Sequence, residues 1–272
     1  IIRFFAGLSS SFVLIFGTSL ILPSIQALGK NSLSTAHFMG VGFGIVLSSI
    51  LVSVLGSFEF VWKDLWLGVT ILALFLAIPV FIFTPNPIVK NEIDKKFNTS
   101  TRLGFNLITF SYGLYGFGYV VLGTFISTMA RDTSGLESTE TYVWLLVGLA
   151  GIPMVIFWPW LGKKIGNDLA LFLACLIMGI GILMPVIVDH QLGIIFAAIL
   201  LGGTFIPITA LAFLEGQSRY KGSIIISTAI LTSSFSIGQM IGPYFGGIII
   251  DLFSSYDVAL TISSISLLFA AI

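Results

Sequence analysis

Charge is what this chain has least of. Only 9% of its 272 residues are Asp, Glu, Lys or Arg, against 57% hydrophobic ones, and its mean hydropathy is +1.09. A soluble domain carries roughly 25% charged residues, so this composition belongs to an integral membrane protein. A formal net charge of zero gives no footing for a nucleic-acid partner. Cysteine is nearly absent too: Cys175, in LALFLACLIMGIGIL, is the single one. That excludes an internal disulfide and a Cys-based metal site, and leaves a buried packing thiol. His37 and His190 lack HExxH spacing, no GxSxG elbow occurs, and no two aspartates share an apolar segment. Without such sets, hydrolytic chemistry has nothing to run on. Gly40, Gly42 and Gly44 sit inside a hydrophobic run, without the strand and polar turn of a phosphate cradle, and read as helix packing. The expectation is a protein that is no enzyme and uses no metal or cofactor.

Long polar runs are also missing, with one exception. Residues 85–102, PNPIVKNEIDKKFNTSTR, hold Lys90, Glu92, Asp94, Lys95, Lys96 and Arg102. Pro85 and Pro87 end the apolar segment before this run, because a proline nitrogen cannot donate a helix hydrogen bond. About 20 apolar residues suffice to span a bilayer. That rule places helices near 4–23, 36–57, 65–84, 103–129, 142–161, 169–188, 193–214, 223–250 and 257–272. The alternation of a membrane β-barrel is absent, so the spans are read as helices.

Lysine and arginine set the orientation. With 85–102 in the cytoplasm, the cytoplasmic loops hold Lys30, Lys90, Lys95, Lys96, Arg102, Lys163, Lys164, Arg219 and Lys221. The other side keeps Arg3, Lys63 and Arg131. The sequon Asn98-Thr99-Ser100 would then be out of reach of glycosylation. The chain opens on Ile1 and stops at Ile272 inside apolar runs, so a fragment is expected.

Three helices, a basic cytoplasmic linker and six helices resemble the 6 + 6 plan of the major facilitator superfamily without its first three helices. Arg3-Phe4-Phe5-Ala6-Gly7 resembles the Arg-xxx-Gly element that opens that superfamily's fourth helix. The runs GLYGFGYVVLGTFISTMAR (113–131), WLLVGLAGIP (144–153) and LLGGTFIPITALA (200–212) are similar to YbfB/YjiJ-type carriers. The resemblance implies an all-α polytopic bundle with nine visible helices of an expected twelve. Residues 1–84 would close the first half, 85–102 link, and 103–272 form the second. It also implies secondary transport of a small solute by alternating access, with protons as candidate coupling ions, in the plasma (inner) membrane of a prokaryote. The partners would be the lipid bilayer and the solute.

Tyr112, Tyr115 and Tyr119 fall within roughly 60° of one another at about 100° per residue, beside Gly116 and Gly123. Three phenols there need a neighbouring helix or a wet cavity. The resemblance makes theirs the seventh helix of twelve, a cavity-lining one, and adds Asn106, Thr109 and Thr204 to the cavity candidates. Arg3 joins them, since the family's corresponding arginine is linked to proton coupling; the alternative is an arginine snorkelling to the interface. In SFSIGQMIGPYFGG, Ser234, Gly238, Gly242 and Gly246 recur every four residues, with Pro243 and Gly247 among them. Such a stripe admits close helix packing, or a rocking contact between halves. In WPWLGKKIG, the family's gate motif (roughly Gly-x-Leu-Ala-Asp-Arg-x-Gly) is broken, with Pro159 for its first glycine and Lys163 for its aspartate. Plain positive-inside anchoring then accounts for Lys163 and Lys164. No carboxylate falls in the interior of a predicted span, since Asp64, Asp168, Asp189, Glu215, Asp251 and Asp257 lie at predicted ends or in loops. A relay usually needs one, which leaves a non-transporting scaffold or sensor as the alternative reading.

Overall fold

An apolar segment in a bilayer must satisfy its own backbone hydrogen bonds, and a helix does so within one segment. The protein, described here by a computed structural model over residues 2–27, 35–83, 103–135, 140–188 and 191–271, follows that demand throughout. The side chains of residues 2–4, 19, 22–24, 26–27, 83 and 141 lie outside the description, as does the polar run 85–102 with its sequon. The helices are α1 (Ile2–Ala27), α2 (Met39–Ser57), α3 (Trp62–Phe83), α4 (Leu103–Asp132), α5 (Glu140–Ile165), α6 (Asn167–Ile187), α7 (Gln191–Arg219), α8 (Ile224–Phe253) and α9 (Asp257–Ala270), with a short 3-10 turn at Ala36–Phe38. Among the described residues there is no strand. Seven helices among the described residues are long and apolar enough to cross a membrane, while the apolar stretches Phe5–Thr18 and Asp257–Ala270 are shorter.

The helices α4 to α9 pack into one bundle. Helix α4 lies against α8 and α9, α7 lies against α5 and α6, and α9 returns to α6. Its core is closely filled, with Phe105, Tyr115, Leu122, Ile126, Met178, Leu211 and Phe213 buried. Helices α1 to α3 flank it: α1 packs on α8, α2 on α5, and α3 on α2. On α3 the side chains of Phe75, Ile78, Val80, Phe81 and Ile82 are exposed, as suits a helix whose neighbours are acyl chains.

Proline shapes how these helices join. A proline at position i leaves the carbonyl of residue i−4 without its helical donor. Pro207 in α7 frees the carbonyl of Gly203, and the indole Nε1–H of Trp158 in α5 donates to it at 2.9 Å. Pro159 in α5 frees that of Val155, which accepts from Thr35 Oγ1 at 3.3 Å. Each proline thus creates an acceptor that another element fills, the first between two helices of the bundle and the second between the bundle and the α1–α2 connection.

Candidate functional site

Helix α4 carries its three tyrosines on one face, and that face meets α7 and α8. The Tyr112 hydroxyl donates to Thr209 Oγ1 at 3.1 Å, and Tyr115 donates to the Phe205 carbonyl at 2.7 Å. Tyr119 accepts from Gln239 Nε2 of α8. The rings also stack, at 5.5 Å for Tyr112–Tyr115 and 5.0 Å for Tyr115–Tyr119. Phe235 of α8 runs alongside, 4.9 Å from Tyr112 and 5.6 Å from Tyr119. Phe205 of α7 closes the column against Tyr119, with the two planes only 10° apart. Offset ring pairs of this kind add about 0.5–1.5 kcal/mol each beyond burial.

Burial grades along the column. Tyr112 and Tyr115 are buried, whereas Tyr119, Phe205, Phe235 and Gln239 are half-buried. The inner two phenols therefore brace α4 against α7. The outer group keeps partial exposure together with a hydroxyl and an amide, which is what contact with a solute needs.

The other cavity candidates lie elsewhere. Thr204 is buried and donates to Leu200 of its own helix at 2.6 Å. Thr109 likewise donates to Phe105 at 2.8 Å, and Asn106 is exposed. Arg3 belongs to α1 by its backbone, and its side chain lies outside the described residues. Among the described residues no three His, Cys, Asp or Glu side chains gather as a metal site would require. Sequence reasoning passed over Gln239, Thr209, Phe205 and Phe235. Gln239 could have been found, since an amide inside a membrane helix has to find a partner.

The glycines of α8 sit within the bundle, against α4. A Cβ on Gly238 would meet the Gly113 carbonyl and, at 2.6 Å, the Phe117 nitrogen. On Gly242 it would lie 2.6 Å from the Phe117 carbonyl, and on Gly246 3.1 Å from Val121 Cγ1. Gly247 has room, with Phe125 Cζ at 3.9 Å; Pro243 beside them is half-buried. Ser234 begins the row by donating to the Thr109 carbonyl at 2.7 Å. A second glycine contact joins the first three helices to the bundle. A Cβ on Gly42 of α2 would stand 3.3 Å from the Gly148 carbonyl of α5, and one on Gly148 would stand 3.0 Å from that of Gly42.

Ion pairs gather at the ends of the helices. Arg219, at the end of α7, pairs with Asp168 at the start of α6 and with Glu215 at 3.2 Å. It also donates to the Gly104 carbonyl of α4 at 3.5 Å. The broken gate motif beside Lys163 is thus followed, five residues on, by a carboxylate that does pair, but with α7. At the opposite end, Tyr256 donates to Asp132 at 3.3 Å, and Arg131 reaches Glu140 at 3.8 Å. Partial burial and the Asp132 carboxylate push the Tyr256 phenol above its ordinary value.

The sequence model of a family described as uncharacterised MFS-type transporter YbfB matches residues 1–272. No curated protein matches the chain.

Proposed function

Since the chain belongs to the family of the uncharacterised MFS-type transporter YbfB, we propose that it carries a small solute across the membrane by alternating access. In this reading residues 1–84 belong to one half, 103–272 form the other, and 85–102 link them on the cytoplasmic side of a prokaryotic plasma membrane. The observation that carries it is the contact of α2 with α5. At Gly42 and Gly148 the two backbones approach closely because neither residue carries a side chain, while Ile152 and Val46 of the facing helices pack over them, and this small-residue contact is the surface on which one helix would move against the other.

The wall of the solute path on the six-helix side is the half-buried group Tyr119, Gln239, Phe205 and Phe235. Tyr119 and Gln239 supply a hydroxyl and an amide for hydrogen bonding, and the rings supply stacking area. Tyr112 and Tyr115 hold the helices that position them. Protons are the candidate coupling ions. Among the described residues the spans bring no carboxylate to this wall, so the coupling group is sought at Arg3 or outside the described residues.

The test is transport by the full-length protein in proteoliposomes, against a panel of small solutes, with and without a proton gradient. Accumulation of one solute above protein-free vesicles is expected. A folded, correctly inserted protein that moves none of them in either direction would leave the non-transporting scaffold as the better reading.

A further inference from the structure

The turn between α5 and α6 is the tightest connection between two α-helices among the described residues. One residue, Gly166, separates Ile165 from Asn167, at φ +95°, a left-handed conformation that glycine adopts readily. The turn therefore fixes the last residues of α5 at the membrane surface rather than on a loose loop. Two of them are Lys163 and Lys164, both exposed. One turn earlier, Trp160 is 49% exposed, and the Lys164 ammonium lies over its ring, 3.9 Å from the centroid. Phe157, Ile165 and Leu169 present further exposed apolar area around the same corner.

The charge balance of this corner is uneven. Asp168, its one carboxylate, is taken by Arg219, as is Glu215 on α7. Among the described residues neither Lys163 nor Lys164 has an ion-pair partner. The result is two ammonium groups with no anionic partner among the described residues, above a half-exposed indole, on a helix whose flank is apolar. An amphipathic ring at headgroup depth with cations just beyond it matches the profile of a phospholipid, acyl chain below and phosphate above.

We propose that the end of α5 is a binding site for the headgroup of an anionic phospholipid, held by Lys163 and Lys164 and oriented by Trp160. The site lies outside the tyrosine column and concerns the protein's surroundings rather than its solute. It requires only that α5 spans the bilayer.

The experiment is native mass spectrometry of the intact chain released from nanodiscs that mix phosphatidylglycerol with phosphatidylethanolamine, scoring the lipid retained. Preferential retention of phosphatidylglycerol is expected. Each lysine near a charged surface is worth about fivefold, so the Lys163→Gln/Lys164→Gln double variant should lower that preference roughly 25-fold. The Lys163→Arg/Lys164→Arg variant should keep it, since the charge is kept, and Trp160→Leu should lower it less than the double variant. Lys221→Gln, at the neighbouring exposed turn, is the control for diffuse surface charge. Undiminished preference in the double glutamine variant would overturn the proposal. So would an equal loss in Lys221→Gln, or equal retention of the two lipids by the unsubstituted chain. Both lysines are exposed, and the arginine pair shows whether a loss comes from charge or from misfolding.

Discussion

At the scale of single residues, this protein is held together by side chains that answer particular carbonyls. Trp158 and Pro207 form the clearest case, because the proline makes the acceptor that the indole fills. Replacing Trp158 with Phe leaves the Gly203 carbonyl unpaired in an apolar setting, at a cost of about 1–2 kcal/mol. Unfolding in mixed micelles should show that loss. Pro207→Ala restores the missing N–H, so Trp158→Phe should cost less in that background, and a double-mutant cycle should report a coupling of at least ~0.5 kcal/mol. The two kinds of tyrosine should also separate. Tyr115→Phe forfeits its bond to the Phe205 carbonyl, and about 0.6 kcal/mol of stability with it, while transport persists. Tyr119→Phe, at the half-exposed end, should raise the solute concentration needed for half-maximal transport several-fold with little loss of stability.

At the scale of helices, close approach decides which substitutions are tolerated. Helix α8 lies so near α4 that one added methyl at Gly238 or Gly242 meets backbone atoms that cannot swing away. Gly238→Ala and Gly242→Ala should each destabilise by about 1–3 kcal/mol, the usual cost of overpacking. Gly247→Ala, with its nearest neighbour at 3.9 Å, should change the melting temperature hardly at all. The corner where α9 begins behaves differently, because burial and a carboxylate together make it sensitive to pH. A phenol whose value is raised in the folded state stabilises the fold while it stays protonated. The Tyr256–Asp132 contact should therefore keep its full contribution below about pH 10, the ordinary phenol value, and lose it as the pH climbs above. Tyr256→Phe should flatten that alkaline limb of the stability profile.

At the scale of the whole molecule, the question is how three helices sit on six. They meet along α2 and α5, where Gly42 faces Gly148, and again where Thr35 reaches the carbonyl that Pro159 frees. Phe38 adds a ring contact with Phe213 of α7, 6.0 Å between centroids. If this contact moves during transport, fixing it should stop the cycle. Cysteines at positions 46 and 148 are well placed for that, since a Cβ on Gly148 lies 2.8 Å from Val46 Cγ2. Cys175, the sole thiol of these 272 residues, is buried and free, so little background cross-linking is expected from this part of the protein. Oxidation of the pair should arrest solute accumulation and reduction should restore it. Unimpaired transport by the cross-linked protein would mean that the two helices do not separate.

Much of this architecture was legible in the residues alone. Runs of about 20 apolar residues mark helices because lipid offers no alternative partner for the backbone, and the predicted spans fall within a few residues of the observed ones. The phase of Tyr112, Tyr115 and Tyr119 on one face was equally readable, being a matter of helical period. Which helix that face meets was not. The partners Thr209, the Phe205 carbonyl and Gln239 lie 97, 90 and 120 residues away along the chain, and no local pattern encodes such pairings. The glycine stripe shows the same division. Its spacing announces a close contact, while the choice of α4 over a helix of α1–α3 comes only with packing. Residue type and period determined where the helices run and which faces are oily, small or polar. The tertiary structure decided which face meets which, because that choice depends on the fit of surfaces that are distant in sequence.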